Sequence, residues 1–243
     1  MTNSYSLVTG AGTRLGWEIA KSLLRRGHNL IAHYHQSTEG IKVLQAYGTE
    51  LKRQVLPLSG DFSDYSGLSI FNQELVKLLN NNNGIIDLAV HSAAIMLSGG
   101  IEEVAYADLQ RMEHINLIAP LMISQTLIPY LSDQSNLIMI SDIAAERIWK
   151  KYPIYSMTKI QLEYTAKQFA KLLAPKTRAN ILALGLVMRA KDESENDWQQ
   201  RIMKLPIQQT LSLDELSKAI EFILQSPSLT GAKITLDGGS LLV

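Results

Sequence analysis

Cysteine is absent from these 243 residues. Disulfides, thiolate nucleophiles and cysteine metal centres are therefore excluded, and the composition fits a reducing cytoplasm, the compartment expected for the chain. A surplus of charge of either sign is lacking too, with 23 Lys and Arg against 23 Asp and Glu. Nucleic acid and anionic membranes recruit excess positive charge, so neither is expected as a partner. Long hydrophobic runs are missing. The longest apolar stretch, residues 117–131, is interrupted by Ser124, Gln125 and Thr126 and holds Pro120 and Pro129, too broken to span a bilayer. No basic segment with a hydrophobic region behind it opens the sequence, which runs from Met1-Thr2-Asn3-Ser4 directly into a strand pattern. There is no internal repeat, and the one low-complexity tract, Asn80-Asn81-Asn82-Asn83-Gly84, reads as a surface loop.

What is present is an apolar content of 46 %, enough for one large folded α/β domain spanning residues 1–243. Strand patterns at 5–9, 29–34, 54–58, 85–90, 136–141, 178–184 and 233–236 alternate with helix patterns at 15–26, 38–47, 65–79, 113–131, 154–173 and 213–224. This alternation predicts a single-domain, doubly wound Rossmann fold, a parallel sheet of about seven strands with helices on both faces. Residues 187–198 are polar and charged without a strand pattern, so 186–205 reads as a loop at a carboxyl strand end, a candidate to close over substrate.

Glycine marks the first candidate site. Gly10-Ala11-Gly12-Thr13-Arg14-Leu15-Gly16 stands between a strand and a helix, where backbone N–H groups can approach a pyrophosphate. The second strand ends in His33-Tyr34-His35-Gln36-Ser37. In a dinucleotide fold an acidic residue here selects NAD; none is present, and Arg14 can supply the positive charge that the extra phosphate of NADP needs. His33 and His35 lack a third ligand nearby, so no metal site is expected. Asp61 is open between contacting an adenine and capping the following helix.

The chemistry centres on Tyr155-Ser156-Met157-Thr158-Lys159 with Asp142 thirteen residues ahead. Four residues apart on a helix, Tyr155 and Lys159 lie on one face, and an ammonium beside a phenol is expected to draw the phenol below its usual pKa of about 10. Asp142 ends an apolar strand pattern, where open α/β sheets carry their sites, and a carboxylate there can relay or supply a proton.

The ordered set Thr9-Gly10…Gly16, Asp61, Asn116, Tyr155-x-x-x-Lys159 and Leu236-Asp237-Gly238-Gly239 resembles the short-chain dehydrogenase/reductase family over almost the whole chain. Arg14 in place of the family's third glycine, Asp142 in place of its serine, the His33-Tyr34-His35-x-Ser37 run and Tyr152 are similar to its pteridine and dihydromonapterin reductase branch. The resemblance implies NADP(H), held by Gly10, Gly12, Arg14, Leu15, Gly16, His33, Tyr34, His35, Ser37, Asp61, Phe62, Ser92, Ala93, Ala94, Tyr155, Lys159, Gly185 and Val187. It implies proton delivery by Asp142, Tyr155 and Lys159, with Asn116 supporting Lys159 through a water chain. It also implies a pterin seated against Arg14, Met96 and Tyr152, and a homotetramer formed through the helices of Asn116 and Tyr155, with Leu241-Leu242-Val243 near a second interface. The chain departs from that branch at Gln36 and at Met96 where an aromatic residue is usual, from the family's Asn-Asn-Ala-Gly stretch at His91-Ser92-Ala93-Ala94, and at Leu184 where a proline is common. Two other readings stay open: reduction of a small carbonyl or alcohol, and a cofactor-binding regulator without catalysis.

Overall fold

Buried apolar strands with little alternation between faces are what a parallel sheet covered on both sides requires. The computed structural model describes residues 2–190 and 193–243. Its strands are β1 (Asn3–Thr9), β2 (Leu30–Tyr34), β3 (Val55–Ser59), β4 (Gly84–His91), β5 (Leu131–Asp142), β6 (Thr177–Leu184) and β7 (Lys233–Leu236). They form one sheet in the order β3-β2-β1-β4-β5-β6-β7, every pair parallel. All eight residues of β6 are buried. The expected doubly wound Rossmann arrangement is the one observed.

The helices are α1 (Arg14–Arg25), α2 (Thr38–Glu50), α3 (Tyr65–Asn81), α4 (Tyr106–Glu113), α5 (Ala119–Leu127), α6 (Pro153–Leu173), α7 (Glu195–Met203) and α8 (Leu213–Gln225). One core joins Ile19, Leu23 and Leu24 of α1, Leu44 of α2 and Ile220 of α8 to one face of the sheet. The other joins Phe71 and Leu75 of α3, Ile123 and Leu127 of α5, and Leu162 and Phe169 of α6. The chain leaves β1 toward β2 and β3, then returns to the far side of β1 as β4. That reversal opens a crevice at the carboxyl ends of β1 and β4, the place where such sheets bind ligands. Among the described residues no helix is long and apolar enough to cross a membrane.

Three local expectations need correction. The single helix read over 113–131 is instead α4, a π-helical turn at His114–Ile118, α5 and a 3-10 turn at Ile128–Tyr130. Pro120 has no N–H to give the carbonyl of Asn116, and the ladder shifts so that Ala119 N–H bonds to His114 O. The strand read over 136–141 starts at Leu131, through a register shift against β4 and a positive φ at Gln134 that no apolar pattern announces. The loop read over 186–205 contains α7. Its polar sequence buries no residue, but Ser194 accepts a hydrogen bond from Asp197 N–H and Glu195 and Asp197 sit in its first turn, as a helix start requires. Lys191 and Asp192 of that segment lie outside the described residues.

Candidate active site

Two adjoining spaces lie along the carboxyl edge of the sheet. The smaller is a groove of about 390 Å³ at the β1/β4 crevice, lined by the glycine turn, His33 to Ser37, Asp61, Phe62 and Ser92 to Ile95. Gly10 has a φ of +72°, and a β-carbon on Gly16 would stand 2.3 Å from the Gly10 carbonyl oxygen, so the turn closes on itself only with glycine at both places. No side chain caps the N-terminus of α1, and no carboxylate sits in its first turn. That helix end is therefore open to an anion. The Ser92 hydroxyl in the groove wall is buried without a partner among the described residues. These features fit the pyrophosphate and ribose of a dinucleotide.

His33 and Phe62 form the underside of this groove. His33 Nδ1 accepts from Gly10 N–H at 3.0 Å, its Nε2 meets Gly60 O at 3.1 Å, and its ring stacks on Phe62 at 4.0 Å. Burial lowers its pKa to about 4, so the ring is neutral and both nitrogens are committed. His33 thus braces the glycine turn and has no nitrogen left for a metal. Asp61 accepts from Ser63 N–H and lies 3.6 Å from His35, while the cap of α3 is Asp64, which accepts from Gly67 N–H. Of the two readings for Asp61, capping is corrected to Asp64, three residues on. Tyr34, His35 and Ser37 line the groove.

Thr9 Oγ1 accepts from Ser92 N–H and Ala93 N–H at 3.0 and 3.1 Å, drawing the end of β4 against β1. His91, where the resembled family has asparagine, is buried, with Nε2 2.9 Å from Ser124 Oγ and Nδ1 without a partner among the described residues. Burial lowers its pKa to about 3, which keeps it neutral.

The larger space is a cavity of about 1160 Å³ walled by segment 147–152, Gly185 to Met188, α7, and the carboxyl tail. Arg14 lines both spaces. It holds a left-handed φ of 51°, which costs a side-chain-bearing residue on the order of 1 kcal/mol. Its guanidinium donates to Arg189 O at 3.0 Å, tying the glycine turn to the segment after β6. Met96 and Tyr152 line this cavity, with Met96 46 % exposed. So do Gly185 and Val187.

Asp142, at the end of β5, lines the cavity wall. Its Oδ1 accepts from Ala144 N–H at 2.8 Å and its Oδ2 from the Tyr155 hydroxyl at 3.1 Å. Tyr155 itself is buried and reaches the cavity through Asp142. Lys159 Nζ lies 5.5 Å from the centre of the Tyr155 ring and donates to Ile140 O at 3.0 Å. The expected lowering of the Tyr155 pKa is not found. Burial, with the Asp142 carboxylate and its hydrogen bond, pushes the phenol well above its usual value. Lys159 falls to about 8, mainly through burial, against the pull of Asp142 and Glu163. Burial also raises Asp142 above the usual carboxylate range, outweighing the Ala144 N–H and the Lys159 charge. The phenol keeps its proton at neutral pH, beside a carboxyl inclined to take one up.

Asn116 is buried on the π-helical turn. Its Oδ1 accepts from Ile95 N–H at 2.9 Å, and its Nδ2 donates to Ile95 O at 2.8 Å and Thr158 Oγ1 at 3.1 Å. It clamps the chain just before Met96 to α6. Sequence reasoning missed Trp149, Arg147, Trp198 and Arg201, all in the cavity wall. Two of the three tryptophans stand in polar or charged segments, an overlooked signal of aromatic surface kept for a ligand.

A family model described as enoyl-(acyl carrier protein) reductase matches residues 10–240. Dihydromonapterin reductases are among the curated relatives: that of Klebsiella pneumoniae is 28 % identical over 96 % of this chain and 95 % of its own length, and one from Escherichia coli is 24 % identical over the same shares. Among solved structures, the alternative dihydrofolate reductase 1 (FolM) of Brucella canis complexed with NADP superposes with a TM-score of 0.91 at 23 % identity, over 100 % of this chain and 95 % of that one. A short-chain dehydrogenase/reductase from Serratia marcescens superposes with a TM-score of 0.89 at 24 % identity, over 98 % of each chain.

Proposed function

Because this chain belongs to the short-chain dehydrogenase/reductase family and is thereby an NAD(P)H-dependent oxidoreductase, we propose that its reaction is the NADPH-dependent reduction of a pterin or dihydropterin. The observation that carries this reading is the hydrogen bond from Tyr155 to Asp142 in the cavity wall. An alcohol or carbonyl substrate is served by a neutral hydroxyl at the Asp142 position, whereas an aspartic acid there suits protonation of a ring nitrogen. The names of the relatives from Klebsiella pneumoniae and Escherichia coli support the same substrate class.

The groove would hold NADP(H), with the pyrophosphate on the N-terminus of α1 and the adenosine end beside His35, Ser37 and Asp61. Such a cofactor supplies the hydride when bound. Tyr155 Oη holds the proton to be delivered, and Asp142 stands between that proton and the cavity. Lys159, cationic below a pKa of about 8, steadies the phenolate that donation leaves. Residues 186–190 and 193–205 contribute to the substrate wall, and Trp149 and Trp198 offer the flat surface that Met96 lacks. Four copies of the chain form the working unit, a homotetramer whose support is the exposed apolar row on α6.

The deciding test is NADPH oxidation, followed by absorbance, with dihydrobiopterin, dihydromonapterin, dihydrofolate, a simple quinone and an aldehyde. A dihydropterin should turn over, and Asp142→Ala should lower that rate by about a hundredfold or more. Turnover of the aldehyde or quinone without any pterin would overturn the reading.

A further inference from the structure

The cavity collects positive charge that the chain as a whole does not have. Lys and Arg balance Asp and Glu at 23 each over the full sequence. The cavity wall instead carries Arg14, Arg147, Lys150, Lys151, Arg201 and Lys204 against the carboxylates of Asp142, Glu193 and Asp197. Those carboxylates are already occupied. Asp142 serves Tyr155 and Ala144 N–H, Glu193 pairs with Arg201 at 2.8 Å, and Asp197 accepts from Ser194 Oγ at 2.7 Å. The arginines are engaged too, Arg14 on Arg189 O and Arg147 on the carbonyl and hydroxyl of Ser240. The arginines keep their charge but are held in place, and the cations of the wall without such a hold are lysines. Lys151 lies 5.6 Å from the Tyr152 ring centre, and Lys150 and Lys204 have no ion pair among the described residues.

Their placement matters as much as their number. Lys150 and Lys151 belong to the segment between β5 and α6, whereas Lys204 closes the carboxyl end of α7, so two separate elements bring ammonium groups to the wall of one cavity. At about 1160 Å³ the cavity also exceeds the roughly 300–1,000 Å³ usual for a small-molecule site. A fused bicyclic ring, even with a nicotinamide beside it, leaves room for a further part of the substrate.

Resting on the function proposed above, we infer that the substrate carries an anionic group, a carboxylate or a phosphate, on an extension from its ring, and that Lys150, Lys151 and Lys204 receive it. The ring lies toward Asp142 and the glycine turn, and the anion lies toward the lysines. Ammonium groups on mobile stems suit this role, since they give charge without fixing one geometry and so accept extensions of differing length. A focused positive field also speeds arrival of an anion, an effect that salt weakens.

The test compares kcat/KM for neutral dihydrobiopterin with that for dihydrofolate, whose tail bears carboxylates, and for a dihydropterin phosphate ester, all with NADPH. At low salt the wild-type protein should favour at least one anionic substrate by about fivefold or more, with the preference shrinking as salt rises. Preference for dihydrofolate alone names a carboxylate, and preference for the ester alone names a phosphate. Lys150→Glu combined with Lys204→Glu should cut the anionic-to-neutral ratio by about tenfold, and the Gln pair, which keeps apolar stems in place, by roughly threefold. A wild-type ratio of one or less, or a ratio that neither pair changes, overturns the anion site while dihydrobiopterin turnover upholds the pterin reading. Absence of turnover with all three pterins overturns both.

Discussion

A lysine with 3 % of its surface exposed is costly to keep charged, and Lys159 shows the cost as a pKa of about 8 instead of 10.5. Below pH 8 both folded and unfolded chains hold that proton, and the folded state carries the whole burial penalty, on the order of 3 kcal/mol less the bond to Ile140 O. Between about 8 and 10.5 the folded chain releases the proton first. The unfolded chain then binds more protons, and stability rises with pH across that window. Lys159→Met should therefore raise the melting temperature at pH 7, by about 1–2 kcal/mol of stability, and the gap to wild type should narrow toward pH 10. Turnover should fall by at least about a hundredfold. Paired thermal melts at pH 7 and 10 check the sign, and a variant less stable than wild type at pH 7 would refute the assigned strain. Spacing made Lys159 and Tyr155 legible as a pair, but it could not reveal that burial and Asp142 outweigh the lysine at the phenol. That balance depends on which atoms water reaches, a property of the folded cavity.

Among the elements, the strands were legible because parallel burial on both faces writes short apolar runs into them, Leu7-Val8 in β1, Leu30-Ile31-Ala32 in β2, Leu88-Ala89-Val90 in β4 and Ile181-Leu182-Ala183-Leu184 in β6. α6 was legible as the helix pattern at 154–173, one residue short of its start at Pro153, and with the strand pattern before it this put Asp142, Tyr155 and Lys159 on neighbouring elements. The π turn at His114–Ile118 was not, since Pro120 signals a break without saying how the backbone repairs it. The repair has a use. The π turn bears the buried Asn116, whose amide makes both backbone bonds to Ile95. Asn116→Ala should cost about 2–4 kcal/mol through the lost bonds and the polar groups left behind. Because Met96 follows Ile95 directly, the same change should raise KM for the pterin. Melting and steady-state kinetics on one preparation decide it: unchanged KM in a destabilised protein would reduce Asn116 to a purely structural part.

At the scale of the molecule, the sheet is covered on both faces, yet apolar side chains remain outside. Met157, Ile160, Tyr164 and Leu172 are 50 %, 51 %, 65 % and 68 % exposed, and they recur at helical spacing along α6, with Leu121 exposed on α5. A row of this kind marks a contact with another protein surface, and the balanced charge of the chain raises no long-range repulsion between copies. Closed symmetry would supply the form of the proposed tetramer: a two-fold axis would set α6 against its own copy, and a second two-fold contact would lie beside Leu242 and Val243, which are exposed. Ile160→Glu with Tyr164→Glu would place carboxylates against their own symmetry mates across the first contact, where burial makes like charge costly. Sedimentation velocity should show wild-type protein at four times the chain mass and the double variant at half that value or less. A wild-type monomer at micromolar concentration would overturn the assembly, and a tetrameric variant would move the contact away from α6.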